Sequence, residues 1–159
     1  MGGKLRERFP LDFNRQRVLK NMSLTVRVIT PDNTVWDASA EEVILPSTTG
    51  QLGILSGHAP LLSALDIGVM RIRPQKDWLS IVVAGGFAEV EGNEVTILVN
   101  SAERGENIDP EKAQETYEQA KARVEKAQAS ENRQEIIQAT QALRKARSRL
   151  QAATGKAPA

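Results

Sequence analysis

The chain has 159 residues, 40% of them hydrophobic and 26% charged, with a formal net charge of +1, one histidine and no cysteine. That is room for one ordinary domain and a smaller appendage; disulfides, thiol nucleophiles and thiolate metal sites are excluded, and a zinc site would need mostly carboxylate ligands. No apolar run approaches the roughly 20 residues that cross a bilayer, so membrane contact is expected only through partners.

The first 21 residues carry six Lys or Arg and two acids, which leaves 15 basic and 18 acidic residues in a mildly acidic remainder. Such a balance gives no support to nucleic-acid binding. The basic head ends just before Met22-Ser23-Leu24-Thr25, where a second methionine opens an alternating strand. Residues 1–21 therefore read as a disordered leader from expression or an over-extended start. A basic targeting peptide is the rival reading, against which Glu7, Asp12 and the lack of a serine-rich stretch argue.

From Leu24 to Asn100 the hydrophobic pattern repeats every two residues, the period of half-buried strands. Leu24, Val26 and Val28 alternate with Thr25, Arg27 and Ile29, and the short run Val43-Ile44-Leu45 stops at Pro46. Next comes Gly50-Gln51-Leu52-Gly53-Ile54-Leu55-Ser56-Gly57-His58-Ala59-Pro60, continuing to Gly68. Its glycines and prolines punctuate short apolar runs and mark a shape-defining loop segment. Val69, Arg71 and Arg73 alternate with Met70 and Ile72 up to Pro74; Trp78 to Ala84 and Phe87 to Val90 follow, split by Gly85-Gly86. A hairpin is predicted over Phe87 to Val99, turning at Gly92-Asn93. About eight to ten short strands at this spacing predict an antiparallel β-sandwich or flattened barrel over residues 22–104.

After Asn100 the period changes, and residues 105–159 are predicted to form an antiparallel helical hairpin, giving an α+β chain. Asp109-Pro110 is a helix start, since aspartate can cap free N–H groups and proline suits the first helical position. Ala113, Tyr117, Ala120, Val124 and Ala127 recur at helical spacing, a break falls at Ala129-Ser130-Glu131-Asn132, and Ile136, Thr140, Leu143, Ala146, Leu150 and Ala153 form the second stripe. The seam is rich in alanine. A buried methylene contributes about 0.8 kcal/mol, so replacing leucine by alanine along a seam weakens cohesion while helix propensity stays high. Such a hairpin could open at low cost, or be an ordinary hairpin with a small interface.

Few residues offer chemistry. His58 sits in a Gly-His-Ala-Pro context with Ser56 and Ser63 nearby, but nothing in the sequence places an orienting carboxylate, Asp66 included. A structural histidine is the expected reading. Gly50, Gly53 and Gly57 lack the Gly-Lys-Ser/Thr of a phosphate loop, and the pairs Glu41-Glu42 and Glu89/Glu91 fit a solvated sheet face. Arg133, Arg144, Lys145, Arg147 and Arg149 make the second helix basic within an acidic chain. Without interleaved aromatics they suit an acidic protein partner better than a nucleic-acid strand.

The glycine-rich segment resembles the signature of the epsilon subunit of F-type ATP synthases, in which Gly-x-x-Gly-Ile-Leu-x-x-His-x-Pro-Leu-Leu precedes Ala-Leu-x-x-Gly. Met22-Ser23-Leu24-Thr25-Val26-Arg27-Val28-Ile29-Thr30-Pro31 is similar to the opening strand of the chloroplast and cyanobacterial branch. Ala84-Gly85-Gly86-Phe87-Ala88-Glu89-Val90 is similar to a third family element. The resemblance covers essentially Met22 to the end.

It implies a β-sandwich with a C-terminal helical hairpin and a non-catalytic rotor subunit, without a cofactor of its own, in an enzyme that couples ATP synthesis to hydrogen-ion transport. The implied partners are the gamma subunit, the membrane c-ring and the alpha and beta subunits. Thr49, Gly50 and Gln51 are the residues implied for c-ring contact, with His58 in the same neighbourhood. Many members are acidic where Gln51 stands, so a charge-based contact is not expected here. The helical tail is implied to inhibit ATP hydrolysis when extended, through Arg133, Arg144, Lys145, Arg147 and Arg149 against acidic surface. Some bacterial members bind ATP through Ile/Leu-Asp-x-x-Arg-Ala; the matching residues here are Ile108, Asp109, Lys112 and Ala113, with Glu103 upstream. Lysine in place of arginine loses the planar fork, so weak or absent ATP binding is expected. The implied location is the catalytic-head side of a cyanobacterial thylakoid membrane, with a chloroplast thylakoid or bacterial plasma membrane as alternatives. The isolated chain is expected to be a monomer; a sandwich adaptor dimerising through its hairpin is the competing class.

Overall fold

The computed structural model describes residues 23–156, so the leader assigned to residues 1–21 lies outside the described residues. Alternation becomes eight strands: β1 Leu24–Ile29, β2 Thr34–Ala40, β3 Glu42–Ser47, β4 Gly50–Leu55, β5 Leu61–Arg73, β6 Leu79–Glu91, β7 Glu94–Val99 and β8 Ala102–Arg104. They join in the order β2-β1-β7-β6-β5-β3-β4, with β8 paired to β6. One pair, β1 with β7, is parallel, a departure from the all-antiparallel expectation. The Gly92-Asn93 turn closes β6 onto β7 as predicted, with φ of 55° and 62°.

β5 and β6 are each 13 residues long and serve both layers of the sandwich. Leu61–Leu65 pairs with the second half of β6, which also pairs with β7; Ile67–Ile72 pairs with the first half, which also pairs with β8. At the bend the alternation changes phase. In β5 the core residues pass from Leu65 to Met70 and Ile72, and in β6 from Ile81 and Val83 to Ala88 and Val90. Gly86 makes the bend possible: its φ is +146°, and a β-carbon there would stand 2.8 Å from Val99 Cα and closer still to the Leu98 carbonyl oxygen.

The glycine-rich segment is therefore mostly strand, and its reading as a loop is corrected. Gly50–Leu55 is β4 and Leu61 opens β5; residues 56–60 alone connect them. Ile54 and Leu65 from its apolar runs lie in the core, at 0% and 4% exposure.

The tail is a hairpin of α1, Pro110–Ser130, and α2, Arg133–Thr154. Asp109 caps α1, its Oδ1 accepting from the Glu111 and Lys112 N–H groups at 3.0 and 3.4 Å, and Pro110 follows as expected. Asn132 caps α2 by accepting from Glu135 N–H, and α2 ends at Gly155 with φ 72°. Ala113, Tyr117, Ala120 and Ala127 are buried on α1; Ala139, Ala146, Ser148 and Leu150 are buried on α2. Thr140 was expected in the stripe, but Ala139 takes the place. Thr140 is exposed and donates its hydroxyl to the Ile136 carbonyl at 2.7 Å, one helical position around from the seam.

Candidate functional site

Three surfaces gather the residues of interest. At the β3–β4 tip, Thr49, Gly50 and Gln51 are exposed. The tip is tied down by two hydroxyl bonds and one backbone bond: Thr49 N–H donates to Ser47 Oγ at 3.2 Å, Ser63 Oγ donates to the same oxygen at 3.2 Å, and the Thr48 backbone N–H donates to the Ala64 carbonyl at 3.1 Å. His58 lies beyond the other end of β4. Its N–H donates to the Leu55 carbonyl at 3.1 Å and its Nδ1 is 2.7 Å from the Ala59 carbonyl. The neighbouring Gly57 N–H donates to Asn93 Oδ1 at 2.7 Å, which binds this connection to the β6–β7 turn. The structure thus groups Thr49, Gly50 and Gln51 and sets His58 apart from them.

The second surface is one that sequence reasoning missed. Ala64 pairs with Phe87, Phe87 with Leu98, and Leu98 with Ile29, so four apolar side chains line up across β5, β6, β7 and β1 on the outer face. Phe87 is 57% and Leu98 53% exposed, and Leu62 beside them is 71% exposed. Phe87 and Leu98 line a shallow groove that also involves Ile29, Pro31, Ala64 and Asn100. The signal was present in the sequence: Phe87 and Leu98 sit on the phase of their strands shared with Glu89, Glu91 and Thr96, where solvent-facing residues belong. Contiguous exposed apolar area of this kind marks an interaction surface.

The third surface is the docked hairpin. α2 packs against β5 and β6, where Ala146 and Leu150 join Val82, Ile108, Ala113, Tyr117 and Ala120 in a second apolar cluster. Two of the five basic candidates face the sandwich: Arg144 Nη2 meets Asp66 Oδ2 at 2.6 Å, and Arg149 forks onto Glu103 through Nε at 2.8 Å and Nη2 at 3.1 Å. Arg144, with Ile67 N–H second, holds the Asp66 carboxyl below its ordinary range, and Glu103 raises the Arg149 guanidinium. Arg133, Lys145 and Arg147 are exposed. At the hairpin tip Arg123 forks onto Glu135 at 2.8 and 3.3 Å. Asp66, which nothing in the sequence placed, is a hairpin contact.

The residues matching the ATP motif have structural occupations. Glu103 takes Arg149, Asp109 caps α1, Ile108 and Ala113 are buried, and Lys112 is exposed. Among the described residues no group of His, Cys, Asp and Glu could hold a metal ion, and no helix is long and apolar enough to cross a membrane.

Two family models divide the chain: the beta-sandwich domain of the ATP synthase Delta/Epsilon chain matches residues 23–105, and its long alpha-helix domain matches residues 106–154. The ATP synthase epsilon chain of Trichodesmium erythraeum is 64% identical over 134 residues, covering 84% of this chain and 98% of that one. That of Synechococcus elongatus is 68% identical over 134 residues, covering 84% and 97%. A chain in the cryo-EM structure of the Euglena gracilis mitochondrial ATP synthase shares the fold at a TM-score of 0.68, with 24% identity and coverage of 77% and 76%. Matches along both the sandwich and the helices, at this identity, place the chain in the ATP synthase delta/epsilon family, as an accessory, non-catalytic subunit of the epsilon kind.

Proposed function

We propose that this subunit is a rotor part of the central stalk, held between the gamma subunit and the c-ring, whose hairpin restrains ATP hydrolysis. The observation that carries the reading is an asymmetry of the sandwich's outer faces. The face over β5 and β6 is covered by the chain's own α2, whereas the described residues leave the row Ala64, Phe87, Leu98 and Ile29 at least partly exposed. An apolar row across four strands suits a stable grip by another subunit, and gamma is the proposed occupant. The exposed Thr49–Gln51 tip is proposed to meet the c-ring through shape and hydrogen bonds, since Gln51 carries no charge.

α2 is proposed to meet acidic surface on the alpha and beta subunits through Arg133, Arg144, Lys145, Arg147 and Arg149 when the hairpin extends. The residue ranges 22–104 and 105–159 are proposed as the stalk-bound and regulatory parts. ATP is proposed to bind the tail weakly or not at all. The proposed location is the catalytic-head side of a cyanobacterial thylakoid membrane, reached through partners, and the isolated chain is proposed to be monomeric.

Titrating purified gamma subunit into the isolated chain tests the core of this reading. Saturable one-to-one binding, weakened at least about tenfold by Phe87→Glu, is expected for an anchor at the centre of an interface. Absence of binding by the unaltered chain would overturn it.

A further inference from the structure

We infer that Asp66 and Glu103 serve as internal stand-ins for an acidic partner: they hold Arg144 and Arg149 on the sandwich until that partner's carboxylates take the same two guanidinium groups. The inference rests on the proposed inhibitory role of α2 and names how it is regulated. Both acids lie on strands, Asp66 on β5 and Glu103 on β8, while both arginines lie on α2, so each pair crosses the docking interface. Lys145 and Arg147, interleaved on the same helix, are exposed in the docked state. Among the described residues, α2 therefore divides its positive charge between two groups engaged by the sandwich, Arg144 and Arg149, and three exposed ones, Arg133, Lys145 and Arg147.

The energetics suit an exchange. Arg144 and Asp66 keep 47% and 39% of their side-chain surface in solvent, and Arg149 and Glu103 keep 28% and 40%. Ion pairs this wet contribute little net stability, because water competes for both charges. An incoming carboxylate replaces like with like and leaves no guanidinium buried without a partner. The apolar part of the contact is also modest: among the described residues Val82 is the one strand residue in the cluster that holds Ala146 and Leu150 of α2.

The pivot is marked as well. Arg104 donates to the Val35 carbonyl through Nε at 3.1 Å and Nη2 at 2.7 Å, and its guanidinium lies 5.2 Å from the centre of the Trp36 ring. β8 is paired to β6 at the same place. Glu103 and Arg104 thus stay with the sandwich, and the chain turns after Arg104, in the 3₁₀ turn Gly105–Asn107 and the two residues before α1. Departure of the hairpin breaks both ion pairs and leaves both carboxylates behind.

Because the chain has no cysteine, Ser39→Cys and Gln119→Cys give two unique label sites on the full chain. Spin-label distances then report docked and open populations. Asp66→Asn and Glu103→Gln are each expected to raise the open-to-docked ratio about three- to fivefold, and together about tenfold or more. Arg149→Glu alone should open the hairpin, and Glu103→Arg added to it should restore docking. In the assembled ATP synthase, the Asp66→Asn and Glu103→Gln variants should inhibit ATP hydrolysis more strongly, since their arginines are free for the partner. Unchanged distances, or no rescue by the swapped pair, overturn the inference whatever hydrolysis does. Altered distances with unaltered hydrolysis overturn the inhibitory reading of α2 and leave Asp66 and Glu103 as docking carboxylates only.

Discussion

Gly105 sits directly beneath Ala152: a β-carbon on Gly105 would stand 2.5 Å from the Ala152 carbonyl oxygen and 3.3 Å from its Cβ. The backbone of the turn before α1 and the last turn of α2 touch with no side chain between them. Gly105→Ala is therefore expected to push α2 off the turn, at a cost of about 1–3 kcal/mol in docking. Hydrogen exchange of α2 amides should speed up accordingly, while β1, β3 and β7 amides stay as protected as before. Equal loss of protection in strands and helices would show that the two parts unfold as one.

Gly86→Ala makes the contrasting case. Its β-carbon would run into the backbone of Leu98 and Val99 inside the sheet, at a φ that L side chains rarely adopt. The strain falls on the β6–β7 pairing, so the sandwich itself should lose at least about 2 kcal/mol, read as a lower urea midpoint. A midpoint within error of the parent would mean that the bend can relax.

These two glycines also mark what the sequence could and could not reveal. Local rules found β1, β3, β6, β7 and the second half of β5, the Gly92-Asn93 turn, the Asp109 cap and both helices, because alternation, turn chemistry and capping act over a few residues. Long-range features were hidden. The change of phase in β5 and β6 comes from two strands passing between layers, and the glycine-rich segment reads as loop until β3 and β5 flank it. Arg144 meeting Asp66 joins a helix to a distant strand, and no spacing rule reaches that far. Thr140 fell outside the seam by one helical position, which a stripe of small residues tolerates because alanine and threonine carry weak positional signals.

Protonation gives a third test. The Asp66 carboxyl is held below its ordinary pKa by the Arg144 hydrogen bond first and the Ile67 N–H second, and Glu135 is lowered likewise by Arg123. A carboxylate with a depressed folded pKa stabilises the docked form above its ordinary pKa and loses that contribution as pH falls through the lowered value. Through Asp66, then, docking should be flat from about pH 5 to 8 and should loosen only below about pH 4, while Glu135, paired with Arg123 inside the hairpin, acts on the closure of α1 on α2. The label distances followed against pH check this. A loosening between about pH 6 and 7 that Asp66→Asn abolishes would contradict it.

ATP titration separates a cap from a ligand contact. Asp109 already accepts two backbone N–H groups, and Glu103 is engaged by Arg149. Chemical shifts of α1 amides should stay put as ATP is added to the isolated chain. Asp109→Ala should cost about 1 kcal/mol of helix stability through the lost cap, with the flat ATP response unchanged. Saturation at micromolar ATP in the parent would reverse this assignment.

The last prediction uses the division of charge on α2. Lys145 and Arg147 are exposed in the docked hairpin, whereas Arg144 and Arg149 hold it to the sandwich. Neutralising Lys145 and Arg147 to Gln should relieve inhibition of ATP hydrolysis while leaving the docked population unchanged, because those side chains touch only the proposed partner. Neutralising Arg144 and Arg149 should do two opposing things, freeing the hairpin and removing its contact, so inhibition should fall less than the lost contact alone implies. Remaining inhibition in the Lys145 and Arg147 variant should also depend less on salt, since at about 0.15 M the Debye length is near 8 Å and exposed charges carry most of the screening. Inhibition as strong as the parent's in a variant with Arg144, Lys145, Arg147 and Arg149 all neutralised, at every salt concentration, would remove electrostatics from the account. The hairpin would then act through the shape of its alanine seam alone.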